Sequence, residues 1–149
     1  MEQSLRRKKM IAVAFIDLDG FKAINDTWGH DAGDALLKGG GAACMKEVLR
    51  SCDTLARLGG DEFVVILSDL DKGNPALDVI ERLLKAAGHP VLYQGARLQV
   101  SASLGVTYYP QFEPQEADQL LRQADQAMYQ TKLSGKNRFF IFDSATLEQ

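Results

Sequence analysis

The sequence predicts an α+β domain with an antiparallel-rich central sheet flanked by helices. Three observations carry this. Met10–Leu18 is a long apolar run that closes on Asp17-Leu18, as expected of a central strand buried on both faces. Thr54–Leu58 and Glu62–Leu67 are short β runs on either side of Gly59-Gly60-Asp61, which reads as a hairpin with its tip at the glycines. Helical spacing appears in separate segments between such runs. The predicted order is β-α-α-β-β-α-β-β-β-α-β, which suits a single sheet covered by helices.

After the first strand, Gly20–Asp26 reads as a short helix or turn and Gly29–Gly33 as a loop. A longer helix is expected from about Asp34 to Arg50. Gly39-Gly40-Gly41 interrupts it, because each glycine costs roughly 1 kcal/mol against alanine inside a helix. Three in a row predict a kink or a close approach to the sheet. Asn74-Pro75 is a helix start, with Asn as cap and Pro at the first helical position. Leu77, Ile80, Leu84 and Ala87 then recur at helical spacing until Gly88. Val91–Tyr93 and Arg97–Leu98 flank Gln94-Gly95 as a second small hairpin, and Val100–Tyr109 is a further strand. Glu116–Ser134 is a helix with Leu120, Leu121, Ala124, Ala127, Met128 and Thr131 on one face. Gly135 follows it, and Phe139–Phe142 is the last strand. The core spans about residues 10–142, and 143–149 reads as a linker or tail.

The chain has 149 residues, enough for one domain with its own core, so folding needs neither disulfides nor a structural metal. Cys44 and Cys52 lack Cys-x-x-Cys spacing and read as reduced thiols. A formal net charge of −3 excludes a general nucleic-acid binder, which would carry a basic face. One small nucleotide remains possible, because a local site can oppose the global sign. Arg6-Arg7-Lys8-Lys9 ahead of the apolar run resembles a signal peptide, but the run ends at Asp17 with no cleavage site. No stretch is long enough to span a membrane. The expectation is a soluble, cytoplasmic domain without direct membrane contact, whose parent protein can still be anchored elsewhere.

Three segments carry chemistry. In the first, a strand ends in Asp17-Leu18-Asp19 and is followed by Gly20-Phe21-Lys22 and Asn25-Asp26. Acidic oxygens at a sheet edge suit magnesium, which shares such hard ligands with phosphates. Free N–H groups at the start of the helix suit phosphate oxygens, and Lys22 adds a cation. The second is the hairpin tip Gly59-Gly60-Asp61-Glu62-Phe63. Its glycines let the backbone approach a ligand, and its adjacent carboxylates call for a cation or donors. With Met10–Leu18 beside this hairpin in one sheet, Asp17 and Asp61 can share one metal. The third is Arg50-Ser51-Cys52-Asp53, which ends shortly before the hairpin tip.

The pentapeptide Gly59–Phe63 spells GGDEF, and the chain resembles the diguanylate cyclase family of that name. The resemblance runs from about Ala12 to Phe142. It includes Phe15–Lys22, Asn25-Asp26, Gly29-His30, Gly33-Asp34, Arg57-x-Gly59–Phe63, Ser103–Val106, Ala124-Asp125-x-Ala127-Met128-Tyr129 and Lys132-x-x-Gly135-Lys136-Asn137-Arg138. It implies a ferredoxin-like, palm-type nucleotidyl cyclase fold that condenses GTP into cyclic di-GMP with Mg2+ or Mn2+.

By resemblance, Asp17, Asp61 and the Leu18 carbonyl hold the metal, and Glu62 lies beside the reacting ribose. Gly20, Phe21, Lys22, Lys132 and Lys136 hold the triphosphate, with Gly59 and Gly60 at the substrate. Asn25 and Asp34 hold guanine, and Leu37 lines that pocket. Asp61, Glu62 and Lys22 are the catalytic set. A homodimer is implied, because one domain holds one GTP. Arg50 and Asp53 resemble the family's Arg-x-x-Asp product-inhibition site. Asp19 is expected to cap the short helix, His30 to shape a loop, His89 to lie at the surface, and Trp28 and Phe112 to pack.

Two departures matter. The family's Asp-x-Leu-Thr-Gly-Leu-x-Asn-Arg stretch ahead of the first strand does not occur in this sequence. Lys136 stands where many members have Arg, which keeps the charge and loses the bidentate fork. The expected alternative to a cyclase is therefore a catalytically weak GTP-binding or cyclic di-GMP-binding module of a larger GGDEF-EAL signalling protein, with a fused sensor and/or EAL domain.

Overall fold

In the computed structural model, residues 10–70, 76–109 and 116–142 are described. Strand β1 (Met10–Asp19) lies at the centre of a five-stranded sheet of order β2-β3-β1-β6-β7. It pairs antiparallel with β3 (Glu62–Leu70) on one side and with β6 (Ser101–Tyr109) on the other. β2 (Thr54–Gly59) completes the hairpin with β3. β7 (Arg138–Ile141) runs parallel to β6, so the sheet is mostly antiparallel with one parallel edge. β4 (Val91–Tyr93) and β5 (Ala96–Leu98) form a separate small hairpin.

β1 is apolar from Met10 to Ile16 because both faces of the sheet are covered. Ala12, Ala14, Ile16 and Leu18 join the larger core, packed on one face with residues of the first four helices. Val13 and Phe15 point the other way, onto Leu120, Ala124 and Met128 of α5 (Ala117–Leu133). Full burial of a side chain such as Ile16 stabilises by roughly 1.5–3 kcal/mol. The same alternation puts Asp17 and Asp19 on the α5 face of β1.

α5 begins with a capping box between Glu116 and Gln119. It lies close on β6 at Gly105, where any Cβ would overlap the Ala124 carbonyl and the Met128 amide. Thr131 Oγ1 then donates to the Leu104 carbonyl at 2.8 Å, fixing the last turn of the helix over the sheet.

Several expectations are corrected. The helix expected over 34–50 is two helices, α2 (His30–Gly39) and α3 (Gly41–Val48), which follow α1 (Phe21–Trp28). The break is at Gly40, with φ −134° and ψ −113°, pressed against Val91 and the His89 carbonyl. Gly29–Gly33 is not a loop, since Gly29 caps α2 and the helix starts at His30. Trp28 and Leu121 are exposed rather than packed, because their helices turn those positions to solvent. α4 (Ala76–Ala87) buries Ala76, Ile80, Leu83 and Ala87, so Leu83 rather than Leu84 is the fully buried leucine of its last turns. Asn74-Pro75 and Phe112 lie outside the described residues. Among the described residues no helix is long and apolar enough to cross a membrane.

Candidate nucleotide and metal site

The register of β1 on β3 sets Asp17 opposite Glu62, and the Leu18 amide donates to the Asp61 carbonyl at 3.0 Å. The end of β1 is therefore bonded to the hairpin tip. Carboxylate oxygens of Asp17, Asp61 and Glu62 lie within 4.8 Å of one another. Asp17 is buried, while Asp61 and Glu62 are half-buried. Gly60, with φ +43°, makes the tip. A Cβ on Gly59 would meet nothing within 4 Å, so packing gives no reason for a glycine there. Arg57 Nε donates to the Gly60 carbonyl at 3.0 Å and braces the tip from β2.

From the other side α5 brings Lys132, whose ammonium forms an ion pair with Asp17 Oδ2. Burial pushes the Asp17 carboxyl above its ordinary value. The hydrogen bond from Lys132 opposes this and the nearby charge of Asp61 adds to it. For Lys132 burial acts downward, but the bond and charge of Asp17 outweigh it, and the ammonium is held above its usual range. Asp17 Oδ1 is buried and has no hydrogen-bond partner. Three carboxylates, one of which carries an orphaned oxygen, fit a divalent cation of the magnesium type.

Gly20, at φ +87°, caps α1 from just before its first residue, without a side-chain bond. Phe21 is buried and Lys22 exposed at this helix start. One turn on, Asn25 packs against Gly33 of α2, and its buried Oδ1 also has no hydrogen-bond partner. Asp34, beside Gly33, is exposed, and Leu37, one turn further, is buried. The structure thus brings Asn25 to the α2 segment that carries Asp34.

Lys136 is exposed in the turn after α5, where Gly135, Lys136 and Asn137 all have positive φ (121°, 63° and 51°). Asp19 does not cap α1. It faces β6 and accepts from Ser101 and Ser103. No signal in the sequence could pair residues more than eighty positions apart.

Arg50 and Asp53 lie elsewhere. Arg50 Nε and Nη2 donate to the two Asp53 oxygens at 3.0 and 2.9 Å, and Nη2 also donates to the Ser68 carbonyl at 2.7 Å. The Arg50 and Ser68 amides also donate to Asp53, at 2.9 and 3.1 Å. Burial pushes the Asp53 carboxyl up, but these donors and the guanidinium charge outweigh it and hold the group below its ordinary value. Ser68 is six residues along β3 from Glu62, or about 20 Å of strand, so this cluster is separate from the tip.

The model of the diguanylate cyclase GGDEF domain matches residues 1–138. MucR of Pseudomonas aeruginosa, a bifunctional diguanylate cyclase/cyclic di-GMP phosphodiesterase, is 39% identical over 97% of this chain and 21% of its own length. The cyclic di-GMP phosphodiesterase NbdA of the same organism is 40% identical over 99% of this chain and 18% of its own length. The chain thus spans about a fifth of these two curated relatives. The solved structure of an N-terminally truncated TpbB (YfiN) from P. aeruginosa comprising only its GGDEF domain superposes with a TM-score of 0.88 at 33% identity, covering 99% of this chain and 87% of that one. A family match over nearly the whole chain, a shared fold and a carboxylate cluster at a Gly-Gly-Asp-Glu-Phe hairpin agree: the chain belongs to the GGDEF domain family of diguanylate cyclases.

Proposed function

We propose that the domain condenses two molecules of GTP into cyclic di-GMP and two of pyrophosphate. The observation that carries this reading is the cluster of Asp17, Asp61 and Glu62, with an orphaned Asp17 oxygen, beside an open glycine tip and Lys132. Each ribose 3′-hydroxyl attacks the α-phosphorus of the other GTP. A new P–O bond forms as the hydroxyl gives up its proton to solvent, the bond from the α-phosphorus to the α–β bridging oxygen breaks, and pyrophosphate leaves with that electron pair.

Asp17 and Asp61, with the Leu18 carbonyl, would hold Mg2+ or Mn2+, and Glu62 stands at the same cluster beside the ribose. The ion would supply charge stabilisation on the phosphates. Lys22 and Lys136, both exposed cations, bind the phosphate oxygens, and the α1 start at Gly20-Phe21 offers them N–H groups. Lys132 neutralises Asp17 and presents its ammonium to the same phosphates. Asn25 and Asp34 recognise guanine, with Leu37 beneath them. Asp34 can accept from guanine N1–H and the exocyclic amine, whereas adenine offers an acceptor at N1. One GTP per domain requires two domains to meet as a two-fold dimer.

Incubation with GTP and Mg2+, followed by chromatographic separation of products, tests the reading. Cyclic di-GMP and pyrophosphate are expected; bound but unconverted GTP would overturn it in favour of a regulatory module. That second reading is favoured by NbdA, a relative named for phosphodiesterase activity alone. In it the domain binds GTP or cyclic di-GMP and controls a fused sensor or EAL domain. The Arg50/Asp53 cluster is, in either reading, the candidate cyclic di-GMP contact.

A further inference from the structure

We infer that Asp19 is a positioning residue that holds the turn after α5, and with it Lys136, over the nucleotide site. Asp19 is 9% exposed, on the same face of β1 as Asp17. Its Oδ1 accepts from Ser103 Oγ at 2.8 Å, and its Oδ2 accepts from Ser101 and Ser103, each at 3.0 Å. The Asn137 amide also donates to Oδ2, at 3.4 Å. With both oxygens engaged, Asp19 stands outside the Asp17, Asp61 and Glu62 cluster.

The turn it holds needs holding. Lys136 has left-handed backbone, which a lysine keeps only where surrounding bonds impose it, and Asn137, a residue type that tolerates this conformation, continues it. One end is fixed by the Lys136 amide on the Thr131 carbonyl at 3.0 Å, and Arg138 Nε bonds the Lys136 carbonyl at 3.0 Å. Asp19 supplies the bond to the central strand, two residues beyond Asp17. A carboxylate suits this place because it can accept from two hydroxyls and one amide at once.

The inference rests on the reading of Lys136 as a triphosphate ligand. Calorimetry with GTP and with GMP, which lacks the β- and γ-phosphates, is the test. Asp19→Ala is expected to weaken GTP about three- to tenfold and to leave GMP within about twofold. Asp19→Asn, which keeps an acceptor for the Asn137 amide, should restore GTP affinity. Asp19→Ala in a Lys136→Ala background should cost nothing further, because the residue acts through that lysine. Asp19→Ser, which retains a polar group but is too short to reach the turn, should behave as Asp19→Ala and serves if the alanine variant does not fold. Hydrogen exchange needs no variant: the Asn137 amide should be protected in the unaltered protein.

Wild-type affinity in Asp19→Ala or Asp19→Ser, losses that add to those of Lys136→Ala, or an unprotected Asn137 amide would overturn the inference. Failure of the unaltered protein to bind GTP would instead overturn the nucleotide reading beneath it.

Discussion

Gly33 and Asn25 share a space that admits one side chain: a Cβ on Gly33 would overlap Oδ1 of Asn25 and lie 3.2 Å from the Phe21 ring. Gly33→Ala should raise helix propensity by roughly 1 kcal/mol, yet the methyl group must displace the Asn25 amide. GTP affinity should therefore fall, and the preference for GTP over ATP should narrow, while the melting temperature changes little. Calorimetry of both nucleotides on both proteins checks this. Unchanged GTP affinity in the variant would show that Asn25 does not read the base.

Asp61→Ala is expected to abolish turnover and leave the fold intact. The residue is half-buried at a hairpin tip, and its charge pushes up the carboxyl of Asp17, so its removal relieves repulsion. Surface substitutions of this kind stay within about 0.5 kcal/mol. Thermal melts should match those of the unaltered protein and product formation should vanish. Product at the unaltered rate would remove Asp61 from the site.

The neighbours along the chain were legible, and the distant partners were not. Asp17 at a strand end and Asp61 at a glycine tip follow from an apolar run and a turn sequence. The ion pair of Lys132 with Asp17 depends on how α5 docks at Gly105, which no local pattern encodes. Gly29 and Gly33 read as a loop because glycine disfavours helices, but packing of Gly33 on Asn25 overrides that propensity. The parallel pairing of β7 with β6 is equally hidden, since alternation within a strand does not reveal its neighbour.

Asp53→Asn should flatten the acid limb of the stability curve. The Asp53 carboxyl is held below its ordinary value, so the native state favours the charged form. Its contribution is fully present above the unfolded-state value of about 3.9 and is lost as pH falls through the lower native value. Arg50 is partly exposed, and solvent screening limits the pair to about 1 kcal/mol. Chemical denaturation at neutral pH and below pH 4 checks both parts. An unchanged acid limb would mean that the group titrates alike in both states.

Arg50→Ala should weaken cyclic di-GMP binding and leave GTP binding unaltered. Arginine can grip the O6/N7 edge of guanine with two donors, and loss of such a pair costs roughly 1–3 kcal/mol, or about ten- to hundredfold in affinity. Here the Nε–Nη2 edge is already engaged by Asp53, and Nη2 also bonds the Ser68 carbonyl. A ligand must therefore use Nη1 or displace one of these bonds, so the loss should lie near the tenfold end. The site is about 20 Å of strand from the hairpin tip, so GTP affinity should not follow. Arg50→Lys separates ligand contact from charge: lysine keeps the cation but has no planar fork. It should bind cyclic di-GMP nearly as poorly as the alanine variant. Titration of all three proteins with both nucleotides decides the matter. Unchanged cyclic di-GMP affinity in Arg50→Ala, or competition between cyclic di-GMP and GTP for one site, would reduce Arg50 and Asp53 to a clamp that ties the segment after α3 to β3.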